Sequence, residues 1–187
     1  LRQIISVLDL SDTKSCANYR ICDYPDLHHR GVMLDISRNF YPMDSVKRII
    51  DVMSMCKLNV LHMHLSDDEA WRIEIPGLPA LTDVGSRRGY TTSETDCLLP
   101  MYCGGWDPNA PTTANGYYSR EQYIELLQYA KKNNICVIPE IDMPGHMRAC
   151  KKAMNGMLTD SVFEKRVYLS AQNYTDNVIA VTNEYAI

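Results

Sequence analysis

Short apolar runs alternate along the chain with amphipathic stretches of a longer period. Gly31-Val32-Met33-Leu34 is an apolar run of strand length. After Pro42, the residues Val46, Ile49, Ile50 and Met53 recur at i, i+3, i+4 and i+7, the spacing of one helix face. Asp44 or Ser45 can cap this helix, which is expected to end near Lys57. Leu58 to Leu65 reads as a second strand, with Val60, His62 and His64 on one face and Leu61, Met63 and Leu65 on the other. Residues 66–118 are rich in Pro, Gly, Thr and Asp and read as an extended loop, and long loops inside a compact domain are usually functional. Ser119 and Gln122 form a capping box. Tyr123, Leu126, Leu127 and Ala130 then give an apolar stripe, and Asn133-Asn134 a stop. Ile135 to Ile141 reads as a third strand, nearly all apolar, which predicts cover on both faces. Residues 1–28 read as the end of a preceding region plus a linker, and no element is assigned from Ala153 onward.

The order strand, helix, strand, long loop, helix, strand is a β/α alternation. A doubly wound sheet fits that count as well as a barrel. The ends of the strands favour the barrel. Asp35 and Arg38 follow the first, Asp67-Asp68-Glu69 the second, and Glu140, Asp142 and His146 the third. Strand C-termini of a (β/α)8 barrel converge on one active-site face. The fold class is therefore read as α/β, a partial (β/α)8 TIM barrel holding its first three or so β/α units, with a long loop after the second strand. No G-x-G-x-x-G or P-loop follows any strand, which removes the common nucleotide readings.

Composition narrows the choice. Hydrophobic residues make up 45% and charged residues 22%, globular proportions. A net charge of -4 and a pI near 5.7 give no basic face for nucleic acid. No apolar run reaches the roughly 18 residues of a membrane span. The first residues lack Met and the pattern of a signal peptide, so the chain reads as cut at its start. Seven cysteines form no CxxC pair. Cys56 and Cys136 sit in apolar segments and are expected to be buried thiols. Cys97 and Cys103 could form a local disulfide in an oxidising compartment. The sequon Asn173-Tyr174-Thr175 points the same way, toward a lysosomal or extracellular location.

Four features carry candidate chemistry. The acids at 67–69 are either a solvated loop start or carboxylates held in a pocket by a cation or histidine. His62 and His64 share a strand face and could bind a metal ion, or be satisfied by hydrogen bonds. Pro144-Gly145 makes a sharp turn that aims His146 back at the strand ends, where it could relay polarisation between carboxylates. Arg30 could be exposed or a fork for sugar hydroxyls, and Trp71 could be core or a face for a sugar ring.

HRGVMLDISRNFYP (29–42), KLNVLHMHLSDDEAWRIEIPGLPALTDVG (57–85) and VIPEIDMPGH (137–146) together resemble glycoside hydrolase family 20, the β-N-acetylhexosaminidases. SETDCLLPMY (93–102) resembles its chitobiase branch, and YLSAQNYTDNV (168–178) resembles the family more weakly. The resemblance covers residues 28–150 and implies that 29–187 is the first part of the catalytic barrel. It implies removal of terminal N-acetylglucosamine or N-acetylgalactosamine by substrate-assisted retention, a known exception among retaining glycosidases. No metal or cofactor is implied; the partner is a glycan with a terminal N-acetylhexosamine.

By resemblance, Arg30 grips the sugar's 3- and 4-hydroxyls, Asp67 and His146 couple to the catalytic acid, and Asp142 supports the sugar pocket. Asp35, Arg38, His64 and Glu140 hold these groups from behind. The family's Gly-Gly-Asp-Glu motif, which supplies the acid and the carboxylate that orients the acetamido group, does not occur in these 187 residues. The chain alone is therefore expected to be inactive, and half a barrel to be poorly soluble. Two rivals remain: a metal-dependent barrel hydrolase using His62 and His64, and a non-catalytic sugar-binding relative.

Overall fold

The computed structural model describes residues 20, 22–101, 104–158, 165 and 167–185. Most of the expected preceding region, residues 1–19, lies outside them, as does Cys103. Three parallel strands lie side by side in chain order: β1 (Gly31–Asp35), β2 (Val60–Ser66) and β3 (Cys136–Ile141). Helix α1 (Met43–Met55) connects β1 to β2, and α2 (Ala80–Asp83) and α3 (Arg120–Lys132) lie between β2 and β3. Helix α4 (Arg148–Ala153) follows β3.

The local sequence accounts for the element ends. Pro42 itself is the N-cap of α1, with no side-chain cap, so the expected cap at Asp44 or Ser45 is displaced into the first turn. Asp44 there still complements the helix dipole. The capping box of α3 forms in both directions: Gln122 N donates to Ser119 Oγ at 3.2 Å and Ser119 N to Gln122 Oε1 at 2.9 Å. Lys57 and Asn134 leave their helices with φ of 60° and 58°, the left-handed exit common at helix C-termini.

One face of the sheet packs on α1 and α3. Leu61, Met63 and Leu65 are fully buried there with Val46, Ile50, Leu126 and Ala130. Leu127 of the expected stripe is instead exposed. The opposite face carries two rows set by the parallel register: Met33, His62 and Ile138, and then Asp35, His64 and Glu140. Among the described residues no layer covers the first row, and Met33 and Ile138 are exposed. The expectation that β3 is covered on both faces is therefore corrected. Cys136, in register with Val60 on the same face, is exposed for the same reason, and Cys56, at the C-cap of α1, is exposed as well; neither is the buried thiol expected. Cys97 is a free buried thiol.

The segment read as a loop has its own architecture. Arg72 is fully buried and donates five hydrogen bonds of 2.9–3.1 Å to the carbonyls of Ser37, Ser86, Ala114 and Gly116. A buried guanidinium thus replaces the backbone pairing that an irregular segment lacks. A second core joins this segment to the chain after β3: Trp71 and Leu81 pack with Met147, Cys150, Ala153, Leu158 and Ile179.

Candidate active site

The carboxyl ends of the three strands deliver polar side chains to one place. Asp67, just past β2, is its hub and is 1% exposed. Asp67 Oδ2 lies 2.7 Å from His64 Nε2 and 2.6 Å from an Arg38 terminal nitrogen. Asp67 Oδ1 lies 2.9 Å from His146 Nδ1 and accepts from Asp68 N at 2.6 Å. Arg38 also pairs with Asp35 at 2.9 Å and Glu69 at 3.0 Å. Glu140 Oε2 stands 2.7 Å from His62 Nε2 and 3.2 Å from His64 Nδ1. The register that sets Asp35, His64 and Glu140 in one row across β1, β2 and β3 builds this chain of contacts. His146 holds a φ of 56°, the turn that swings its ring back over Asp67.

The charges are mutually dependent. The hydrogen bond to Asp67 raises the His64 pKa to about 9, against the opposing effect of burial. Burial pushes the Asp67 carboxyl up, but hydrogen bonds from His64, the Asp68 amide and His146, with the Arg38 charge, hold it below its ordinary value. Burial likewise opposes charge on His146, and the Asp67 hydrogen bond with the fields of Asp67, Asp68 and Asp142 outweighs it, so its pKa is raised. Asp68 and Glu69 are both raised, first by burial.

Asp35, Arg38, His64, Asp67, Glu140 and His146 are thus brought together. Asp142 joins them, with a carboxylate oxygen within 4.8 Å of ligand atoms on His64 and Asp67. Arg30 is not brought in. It precedes β1 at the opposite end of the sheet, roughly 16 Å of strand away from Asp35. Its guanidinium donates to the carbonyls of Lys57 at 2.7 Å, Leu27 at 2.5 Å and His28 at 3.3 Å. The arginine that reaches the carboxylates is Arg38, whose side chain is about one-third exposed. Trp71 is not a sugar face either: it is buried, and its indole N–H donates to Ile73 O at 2.6 Å.

Sequence reasoning missed a buried network behind His146. Arg148 grips Glu94 with both terminal nitrogens, at 2.8 and 2.5 Å, and its Nε donates to Asp176 at 3.0 Å. Its backbone N–H and the Asn177 amide donate to Asp68 at 3.2 and 2.8 Å. The chain after α4 thereby returns to clamp the His146 turn, with Met147 N donating to Asn177 O at 2.9 Å. A basic residue two positions after His146 was the available signal for Arg148; nothing in the pattern marked Glu94 or Asn177.

Two triads, His64 with Asp67 and Asp142, and Asp67 with Asp68 and His146, bring ligand atoms within 4.8 Å of one another. They share Asp67, and the Arg38 guanidinium already supplies a positive charge against it. Both nitrogens of His64 face carboxylates. The donor set is therefore matched internally, unlike the metal arrangement considered for His62 and His64.

This geometry has known counterparts, and the chain belongs to glycosyl hydrolase family 20: the family model described as its catalytic domain matches residues 27–187. N,N'-diacetylchitobiase of Vibrio harveyi is 42% identical over 174 residues, 93% of this chain and 19% of that protein. Beta-hexosaminidase B of Pseudoalteromonas piscicida is 39% identical over 203 residues, 99% of this chain and 26% of that protein. The solved GH20 exo-β-N-acetylglucosaminidase of Vibrio harveyi, in complex with N-acetylglucosamine, matches at a TM-score of 0.74 and 38% identity, over 84% of this chain and 23% of that one. The three-stranded sheet is part of a (β/α)8 barrel, and the chain spans about a fifth to a quarter of the length of these relatives.

Proposed function

We propose that this chain forms one side of a site that removes terminal N-acetylglucosamine or N-acetylgalactosamine from the non-reducing ends of chitooligosaccharides or glycoconjugates, with retention. The observation that carries the reading is the Asp67 hub, which binds His146, His64 and Arg38 at the carboxyl edge of a parallel sheet. In such a reaction the acetamido oxygen attacks C1 while the bond to the leaving oxygen breaks, and a carboxylic acid protonates that oxygen. Water then attacks C1 of the oxazolinium ion, the acetamide re-forms, and the carboxylate recovers its proton.

The acid and the orienting carboxylate come from outside these 187 residues, which hold no Gly-Gly-Asp-Glu, so the chain alone is expected not to hydrolyse. Its own groups set the stage. Asp67 favours a protonated His146, and an imidazolium beside the acid strengthens it as a proton donor. Arg38, taking the place first given to Arg30, offers a fixed fork to sugar hydroxyls. Asp142 lines the same pocket. A lysosomal or extracellular location belongs to the same proposal, supported by the exposed turn that carries Asn173.

The test is a chimaera in which this chain replaces the matching segment of the Vibrio harveyi N,N'-diacetylchitobiase. It should cleave 4-nitrophenyl N-acetyl-β-glucosaminide and spare the glucoside that lacks the acetamido group. A folded chimaera that cleaves neither, or both alike, would overturn the reading.

A further inference from the structure

Arg88 is fully buried, and its Nε donates at 2.9 Å to the carbonyl of Glu69, whose side chain pairs with Arg38. Two residues on, Tyr90 emerges into solvent, and its ring lies 5.6 Å from that of Trp106 with the planes 33° apart. Tyr90 is 76% exposed and Trp106 57%. Gly105 presses on Arg88 so closely that a Cβ there would fall 2.7 Å from Arg88 Cβ, so Trp106 is carried on the same buried arginine. On the Tyr90 side of the pair opens a groove of about 700 Å³ lined by Tyr90, Thr91, Thr92, Ser93, Thr95 and Asp96.

Its polar wall is pre-set. Thr91 Oγ1 donates to Asp96 Oδ1 at 3.1 Å and accepts from Glu94 N at 3.1 Å, and the Ser93 and Thr95 hydroxyls are 2.9 Å apart. Glu94 anchors this wall to Arg148 and hence to the His146 turn.

We propose that Tyr90, Trp106 and this hydroxyl-lined groove bind a β-1,4-linked N-acetylglucosamine chain at a surface separate from the Arg38–Asp67–His146 pocket. The choice of sugar rests on the function proposed above; the surface itself rests on its geometry. Two exposed aromatic rings present large, rigid apolar faces at little entropic cost, and β-linked pyranoses offer C–H faces that pack on them. Hydroxyls and a carboxylate beside the rings match equatorial hydroxyl and amide groups. Bracing by Arg88 and Glu94 fixes the surface before binding, which lowers the ordering cost.

The sequence has two tryptophans, and Trp71 is buried, so Trp106 dominates the quenchable emission. Chitotetraose added to the 187-residue chain should shift the emission to the blue and protect it from acrylamide, saturably, with a far smaller effect from N-acetylglucosamine. Trp106→Phe should abolish the signal and Tyr90→Ala should weaken binding at least tenfold, both at exposed sites where folding is unaffected. Arg38→Ala should leave the signal intact. An unchanged wild-type spectrum, or a response that survives Trp106→Phe, overturns the proposal. Loss of binding in Arg38→Ala with retention in Tyr90→Ala overturns it too and leaves the hydrolase reading standing. A Trp106 response beside an inactive chimaera sinks the hydrolase reading and supports this surface.

Discussion

Raising the pH past neutrality should loosen the fold through His64, with His146, also raised, adding in the same direction. His64 is buried between Asp67 and Glu140, and its pKa of about 9 in the fold compares with 6.5 for the ordinary residue. A folded-state pKa above the unfolded one gives stability that is complete below the unfolded value and is lost as pH rises through the folded value. The difference corresponds to about 3 kcal/mol at 1.36 kcal/mol per unit. Midway through that window the unfolded histidine is nearly neutral and the folded one nearly charged. The slope is then about −1.2 kcal/mol per pH unit. Urea unfolding at steps between pH 6.5 and 8.5 measures it, below the range where the Cys150 thiol, pushed up to about 12 by burial, adds a second loss. His64→Gln should remove a slope of that size, and the His64 ring signals in NMR should titrate near pH 9. A His64 midpoint at or below 7, or an unchanged slope in His64→Gln, refutes the reasoning.

Arg148→Met leaves the buried Glu94 with only Lys152, 3.5 Å away, as a cation and should cost up to about 3 kcal/mol in urea unfolding; adding Glu94→Gln should recover part of that loss. Arg72→Met removes five hydrogen bonds that close residues 86–116 onto Ser37 and leaves the longer one from Arg88 at 3.4 Å, so limited proteolysis should cut within that segment many times faster, while equal rates would dismiss the role given to Arg72. Gly116 has a φ of 130°, and a Cβ there would fall 2.6 Å from a Phe40 ring carbon, so Gly116→Ala should lower stability by about 1–3 kcal/mol, read as the urea midpoint. Met33 and Ile138 stand exposed on an open sheet face, so sedimentation should show self-association that weakens in Met33→Lys.

Periodicity located all three strands and both long helices, because each buries one regular face: the apolar stripe of α1 and the alternation in β2 translate directly into the core between sheet and helices. The convergence of strand ends was also legible, since parallel strands send their C-termini to one edge. Pairings across long separations were not. Arg30 and Arg38 look alike in sequence, and only the strand between them decides which reaches Asp67. Glu94, Arg148 and Asn177 meet across loops whose paths no local pattern encodes. Of the two readings left open for Trp71 the core one holds, and no local pattern could decide it because its burial depends on α4 and the returning chain around Ile179.

The claim that Arg38, not Arg30, grips the sugar can be put to a single comparison of kcat/KM in the chitobiase chimaera. Arg38→Ala should reduce it by about 100-fold or more, since two charge-assisted hydrogen bonds to the sugar are worth at least about 1.5 kcal/mol each. Arg30→Gln, once shown to be folded, should stay near the parent value. The reverse order, with Arg30→Gln crippled and Arg38→Ala active, would contradict the site described.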